Sequence, residues 1–411
     1  MQLSITDGVT KRLSLFLEQL GKHLWDSRQR ASFAMYVLGL LSALPNKSVE
    51  PIAALFAADP TETDAVYQRL LHFLGVAPWP DADVRHAATS FALAELLRRG
   101  PVQTLVIDDT SFPKKGSASV GVKRQYCGAL GKVANCQVIV SLTAATEFAH
   151  IPIDMAPYLP KEWTDSQALR ESAHIPPAVT FQTKPDIALS LIERALKNGI
   201  PQAVVLADGA YGSDGKFRDG VRDLGLDYAV GIQLDTKVQL IRNEEECVSV
   251  KDLLARVGAR PFRRYTWREG SRKALHARFA FFPVRIPKSK HQEWCTEAAY
   301  QESKGQLGMD QYQGRLYTGL QHHLSSVICT YAFVVAERER QERNGNPGKG
   351  VMVRTAEIPQ RHSPTSIATL RKRIANAVTP WFLAAFPARP RRQTTQTQTD
   401  AAPVLANETG G

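Results

Sequence analysis

Two aspartates follow short apolar segments that are typical of buried strands. Residues 103–109 and 202–208 are the segments, and they deliver Asp108 and Asp208. In α/β sheets, functional groups gather beyond the carboxyl ends of the strands. The pattern therefore predicts that these two acids reach one site. Glu297 is a candidate third carboxylate, at the head of a later segment whose pattern turns helical from Glu293 to about Glu342.

Carboxylates that meet at one edge of a sheet are suited to divalent cations. Mg²⁺ prefers oxygen ligands, and paired Mg²⁺ ions about 3.5–4 Å apart can activate water and stabilise the leaving oxygen in phosphodiester cleavage. Without a metal, clustered carboxylates repel one another. An equally open interpretation of Asp108 is a helix cap or turn former. Asp109 is an alternate ligand, because neighbouring strand residues face opposite sides.

Strand and helix patterns alternate around these acids, which predicts an α/β domain with a mixed sheet. A helix is expected over residues 183–197, with Pro185 at a tolerated first-turn position. A turn at residues 209–212 leads into a second helix that ends near residue 223. The predicted strands are residues 103–109, 133–142, 148–158, 202–208 and 228–232.

The chain divides into three parts. Residues 1–95 carry apolar residues at helical spacing, which predicts a helical N-terminal domain. We also expect this domain to bind DNA. The break at residues 59–61 is compatible with a helix-turn-helix, although the spacing alone favours a plain helical bundle. Residues 96–343 are predicted to form the catalytic domain, with a β-rich insertion at about 236–290. Residues 344–411 read as a linker, a basic helix and a disordered tail.

The excess of base indicates a polyanionic partner. The 51 lysines and arginines outnumber the 40 acids, which gives a net charge of +11. Nucleic acid is the obvious polyanionic partner, and the alternative is that the excess charge serves only solubility.

Five scattered cysteines without a CxxC pair argue against a disulfide framework or structural zinc site. We expect a cytoplasmic protein, since neither a secretory pattern nor an apolar run of about 18 residues occurs. The sequence contains no Walker A, GxSxG or HExxH motif, so it gives no signal for an ATPase, a serine hydrolase or a zincin.

Several ordered blocks of the chain resemble the IS701 family of insertion-sequence transposases, within the IS4-like DDE group. The resemblance covers roughly residues 10–335. Its blocks are residues 105–116, 119–126, 131–137, 159–163, 183–185, 207–212, 267–270 and 307–310.

This resemblance implies an RNase H-like fold, an acidic triad, and DNA cleavage and joining with Mg²⁺, for which Mn²⁺ substitutes. By position, Asp108 matches the first acid, Asp208 the second and Glu297 the third, with Asp109 and Glu302 as alternates. It also implies double-stranded DNA as partner, at element ends and target, and a homodimer on DNA.

The chain departs from the family pattern near the third acid. Lys304 follows Glu297 by seven positions (304 − 297), as the pattern expects. The expected arginine upstream is Glu293, and Gln313 replaces a family acid before Gly314. These departures favour, as an alternative, a catalytically impaired or repurposed relative that binds DNA without cutting it.

Basic and aromatic residues near the acids are candidates for DNA contact, because cations neutralise phosphates and rings stack on unpaired bases. Solvated loops and an ordinary antiparallel sheet are the other interpretation. His322 and His323 point about 100° apart on a helix and are read as packing residues. The candidates are Lys114, Lys115, Lys123, Arg124, Arg263, Arg264, Trp267, Arg268, Lys304 and Arg315.

The leading hypothesis is a DNA transposase that binds the ends of its insertion sequence, cleaves them and transfers the freed strands to target DNA. It would be a bacterial, nucleoid-associated cytoplasmic enzyme without a membrane partner. A plain RNase H-like nuclease without strand transfer is a further alternative.

Overall fold

The computed structural model describes residues 4–57, 59–240, 243–257, 263–269, 274–279, 282–285, 292–295, 313–343 and 374. The chain begins with helices that pack their apolar residues inward. Asp26 caps the second of them by accepting a hydrogen bond from the Gln29 amide at 2.8 Å. A short 3-10 turn, Pro60–Glu62, occupies the predicted break. The helices are α1 (Ser4–Gly21), α2 (Ser27–Leu41), α3 (Val49–Phe56), α4 (Thr63–Gly75) and α5 (Asp81–Leu97).

A six-stranded mixed sheet follows, which confirms the predicted α/β class. Its strands are β1 (Thr104–Pro113), β2 (Lys123–Cys127), β3 (Lys132–Ala145), β4 (His150–Tyr158), β5 (Val204–Ala207) and β6 (Tyr228–Val230). The order is β2-β3-β1-β5-β6, and β4 also pairs with β3. Strands β1, β2 and β4 run antiparallel to β3, whereas β5 is parallel to both β1 and β6.

Helices connect the later strands. Their bounds are α6 (Lys161–Asp165), α7 (Gln167–Ala173), α8 (Lys184–Lys197), α9 (Gly209–Gly212) and α10 (Gly215–Asp223). The start of α8 lies where the sequence predicted it, because Thr183 and Asp186 form a reciprocal capping box and Pro185 needs no amide partner in the first turn. The predicted turn at 209–212 is a single helical turn.

The described part of residues 237–295 is mostly β-structure. It consists of β7 (Lys237–Leu240), β8 (Asn243–Ser249), α11 (Val250–Val257), β9 (Arg263–Glu269), β10 (Ala274–Phe279), β11 (Phe282–Arg285) and β12 (Gln292–Cys295). Four of these strands form a sheet in the order β12-β11-β7-β8. A small aliphatic cluster in this region includes Val238 and Val284. The predicted helical pattern from Glu293 onward is wrong at its start, because Glu293 pairs with Val284 in an antiparallel ladder.

The long helix α12 (Tyr317–Arg343) is buried along most of its length. It packs against α5, α2, α4 and β4. The apolar runs 33–41 and 327–336 are buried. His322 and His323 are buried packing residues as predicted, and their Nδ1 atoms lie 2.8 Å from the Leu74 carbonyl oxygen and 2.7 Å from the Tyr36 hydroxyl. Within the described residues, no helix is long and apolar enough to cross a membrane.

Three carboxylates near the end of α12 form a group that we call the buried carboxylate cluster: Glu95, Glu337 and Glu339. Arg12 from α1 contacts Glu337 at 2.6 Å, and Arg340 contacts Glu337 at 2.8 Å and Glu95 at 2.7 Å. The side chain of Glu337 has 0% exposure. These ion pairs connect α1 and α5 to α12. Further arginine partners are Arg98, Arg99, Arg338 and Arg343.

Candidate active site

The register between two parallel strands brings the two predicted acids to the same edge of the sheet. The β1–β5 ladder ends at the pair Val106 and Leu206. Asp108 and Asp208 each stand two residues beyond this pair, so both lie just past the same end of the β1–β5 ladder. Neighbouring strands lie about 4.8 Å apart. Both acids are exposed at this edge of the sheet.

Asp108 lies within a strand and not at its end, which corrects the sequence prediction. β1 continues to Pro113 because it pairs with β3 for its whole length, with Asp108 opposite Ser141. The Ser141 hydroxyl donates to the Asp108 carbonyl oxygen at 3.2 Å. Pairing with β3 therefore fixes the backbone of Asp108. Asp108 lies past the last residue of β1 that pairs with β5.

Asp208 occupies the N-cap position of α9, and its Oδ1 accepts a hydrogen bond from the Ala210 amide at 2.9 Å. Asp208 is thus a helix cap, yet a carboxylate has capacity for further partners. A Cβ at Gly212 would lie 1.8 Å from the Gly231 carbonyl oxygen. Glycine is required there, because the turn that carries Asp208 packs directly against the end of β6.

Asp109 faces α8. Its Oδ2 accepts a hydrogen bond from Lys184 Nζ at 2.5 Å, and both side chains are about one-third exposed. Sequence reasoning did not select Lys184 as a site residue. The available signal was its place between a capping threonine and a proline, in a block that carries the family resemblance.

Tyr211 lies beneath the acids and was also missed. It is 1% exposed, and within the described residues its hydroxyl has no hydrogen-bond partner. Burial raises the pKa of Tyr211, and the charges of Asp109, Asp208 and Asp108 raise it further. The charges of all three carboxylates therefore act on one buried phenol.

Some of the remaining predicted residues lie within the described part of the chain and some lie outside it. In the described part, Lys115 and Arg124 are exposed, Lys114 is half-buried, and Lys123 is ion-paired with Glu162. Arg315 is also exposed, and its carbonyl oxygen accepts a hydrogen bond from the Val120 amide at 3.2 Å. Strand β9 carries Arg263, Arg264, Trp267 and Arg268 and pairs with β10. Outside the described residues lie Glu297, Glu302 and Lys304.

The part of the chain that the structure describes contains no group of three or more histidine, cysteine or acidic residues able to hold a metal ion. Two of the predicted ligands, Asp108 and Asp208, are within that part, and the third is not. The oxygen-only character of the pair suits a hard cation such as Mg²⁺.

A family model described as DDE superfamily endonuclease matches residues 16–274. The chain belongs to the DDE endonuclease superfamily. The match spans the N-terminal helices, the mixed sheet with both acids, and part of the β-rich stretch.

This DDE endonuclease is also similar to a protein from Microchaete diplosiphon named "Probable transposase for insertion sequence element IS701". The two are 31% identical over 217 residues, which is 53% of this chain and 52% of that protein. The chain thus matches about half of the relative's length. The resemblance predicted from the sequence blocks is confirmed.

Proposed function

We propose that this DDE endonuclease is a DNA transposase, which binds the ends of an insertion sequence and catalyses metal-dependent strand cleavage and strand transfer. The observation that carries the proposal is the placement of Asp108 and Asp208 just past the same end of the parallel β1–β5 ladder. The likeness to an IS701 transposase supports the choice among DDE activities.

In this proposal the mixed sheet belongs to an RNase H-like catalytic domain, and Asp108, Asp208 and Glu297 hold the metal. Asp109 and Glu302 are the alternate ligands. The ion pair with Lys184 occupies Asp109, which supports Asp108 as the ligand from this strand.

The residues fit Mg²⁺, or Mn²⁺ in its place. Two exposed carboxylates at one edge of the sheet would repel each other, and that repulsion favours a divalent cation between them. The cation would supply Lewis-acid stabilisation to an attacking and a leaving oxygen. The chain's own residues fix the acids: β3 holds the backbone of Asp108, and the α9 turn orients Asp208 through the Ala210 amide.

The double-stranded DNA of the element end and target would lie along the basic edge around β2. Lys115, Arg124 and Arg315 are exposed there, and Lys123 would exchange Glu162 for a phosphate. The residues on β9 and Lys304 are further proposed contacts. Two copies acting on two ends would form a homodimer on DNA, in the bacterial nucleoid.

The test compares two N-capping aspartates that lie six positions apart (214 − 208). Asp208 caps α9 and Asp214 caps α10 through the Phe217 amide at 3.0 Å, and asparagine preserves both caps. Asp208→Asn should abolish Mg²⁺-dependent cleavage of end-bearing DNA, while Asp214→Asn should retain it. Equal cleavage by both variants would refute the assignment.

The joining step separates a transposase from a plain nuclease. Product analysis on a plasmid target should detect covalently joined element ends, whereas a nuclease without strand transfer would yield only cut ends. A DNA-binding relative that does not cut, suggested by Glu293 and Gln313, would yield neither product; the family match does not favour it.

A further inference from the structure

Lys184 stands at the head of a helix that is fixed to the rest of the fold near both of its ends. At the head of α8, Asp186 Oδ2 accepts hydrogen bonds from the Thr183 amide at 3.0 Å and the Thr183 hydroxyl at 2.6 Å. Near the other end, Arg194 Nε donates to the buried carboxylate of Asp154 on β4 at 2.6 Å. Between these points α8 buries its apolar face. The start of α8 therefore has a set place against the sheet, and the backbone of Lys184 shares it.

From this place the ammonium group of Lys184 compensates an acid of β1. Its Nζ donates to Asp109 Oδ2 at 2.5 Å and lies 5.8 Å from the centre of the Tyr158 ring. Asp186, two positions further along α8, is the acceptor of the capping box. The contact joins α8 to β1 across 75 positions of sequence, so it depends on how the helix is placed against the sheet.

Asp109 has to be compensated because it is the direct neighbour of a proposed metal ligand. Asp108 precedes it in β1, and neighbouring strand residues face opposite sides. The charge of Asp109 nevertheless acts close to the site: burial raises the pKa of Tyr211 most, and Asp109, Asp208 and Asp108 raise it further. The number of charged oxygen ligands sets the affinity of a divalent-cation site. An uncompensated Asp109 would therefore attract the ion toward the wrong face of β1.

We propose that Lys184 is a positioning residue for the metal site, which holds the Asp109 carboxylate toward α8 so that the cation binds at Asp108 and Asp208. The inference rests on the proposed function, because it takes these two acids as ligands. Lys184 weakens cation binding, since it places a positive charge near the ion. In return the ion is confined to the position from which it acts on a phosphodiester. Loss of Lys184 should thus tighten metal binding and slow cleavage, whereas a lysine that only stabilised the fold would weaken both.

The experiment measures two quantities for each variant. Mn²⁺ binding by the DNA-free protein is followed by electron paramagnetic resonance of the free ion, and Mg²⁺-dependent cleavage is followed on end-bearing DNA. Lys184→Met should bind Mn²⁺ about tenfold more tightly, because a positive charge is gone. It should cleave about 10–100-fold more slowly, the range for groups that act on a metal site through its ligands. Both side chains of the pair are partly exposed, so the variants should fold.

Two control variants isolate the charge at this position. Lys184→Arg keeps both the charge and a donor, so its Mn²⁺ affinity and cleavage rate should remain near those of the wild type. Lys197→Met removes a lysine from the same helix, where it pairs with the exposed Glu193 at 2.9 Å. It should change neither quantity.

Asp109→Asn completes a double-variant cycle. Alone, it leaves Lys184 without this carboxylate, so Mn²⁺ binding should weaken about tenfold. Combined with Lys184→Met, it removes both charges of the pair. The double variant should therefore regain the wild-type Mn²⁺ affinity and cleave faster than Lys184→Met.

Three results would overturn the positioning role: Mn²⁺ affinity in Lys184→Met that is unchanged or lower, equal effects of Lys184→Met and Lys197→Met, or a double variant that cleaves no faster than Lys184→Met. Asp208→Asn separates this failure from that of the proposed function. If it abolishes Mn²⁺ binding while Lys184→Met changes nothing, only the positioning role fails. If it binds Mn²⁺ as the wild type does, the assignment of the acids fails as well.

Discussion

Acids occupy two contrasting regions of this molecule. At the sheet edge, Asp108 and Asp208 are exposed and both lie just past the same end of the β1–β5 ladder. In the buried carboxylate cluster, Glu337 has no exposed side-chain surface and is bonded by Arg12 and Arg340. The same functional group is thus paired with arginine where it is buried and placed next to another acid where it is open.

The difference separates a structural from a chemical use of carboxylates. A buried charge is tolerated only with a partner, and removing that partner is strongly destabilising. The repulsion between nearby exposed carboxylates does not stabilise the fold, and the cap that Asp208 forms on α9 is kept when asparagine replaces it. The sheet edge is therefore the region where substitution should cost activity and not stability.

The largest expected effect lies at the sheet edge. Asp108→Asn should lower metal-dependent DNA cleavage more than about a hundredfold, since even outer-shell changes cost metal sites about 10–100-fold. The free energy of unfolding should be unchanged or slightly higher, because repulsion with Asp208 is relieved. Cleavage assays and urea denaturation of the same preparation measure both. A large loss of stability with this variant would break the contrast between the regions.

The cluster should respond in the opposite way. Glu337→Gln should lower the free energy of unfolding by about 3–5 kcal/mol, because it leaves Arg12 and Arg340 without their shared carboxylate. The control is Glu193→Gln, an exposed acid paired with Lys197, which should change stability by less than about 0.5 kcal/mol. Urea denaturation compares the two. Similar effects at both positions would mean that the cluster is not a stabilising feature.

A smaller effect is expected from pH. Burial alone would raise the pKa of Glu95, but hydrogen bonds from Arg340 and Arg343 outweigh it and lower the pKa from 4.5. The unfolded chain therefore binds this proton more readily, so the stabilisation is complete above about pH 4.5 and is lost as the pH falls through the lowered value. Melting temperatures measured from neutral to acidic pH should fall less steeply in Glu95→Gln than in wild type. An identical slope would show that Glu95 does not contribute to the loss of stability at acidic pH.

Local patterns predicted much of the fold. Thr183, Pro185 and Asp186 mark the start of α8 through capping chemistry that involves only near neighbours. The end of β1 was missed, because pairing with β3 extends the strand past Asp108. The start of β12 was missed for the same reason, since its partner β11 is set by tertiary pairing.

The site was predictable only in part. Asp108 and Asp208 each end an apolar run, which is a local signal. Lys184 reaches Asp109 across 75 positions of sequence, and no local pattern encodes that contact. Tyr211 owes its character to burial beneath the acids, which depends on how the α9 turn packs against β6.

The position of α12 late in the chain has a consequence for protein synthesis. Arg12 and Glu337 are 325 residues apart, so α1 leaves the ribosome roughly 15–65 s before its partner at translation speeds of about 5–20 residues per second. During that interval the apolar faces of α2, α4 and α5 that pack on α12 have no permanent cover. Until α12 emerges, these faces therefore need other cover, such as temporary packing within the nascent chain or a chaperone.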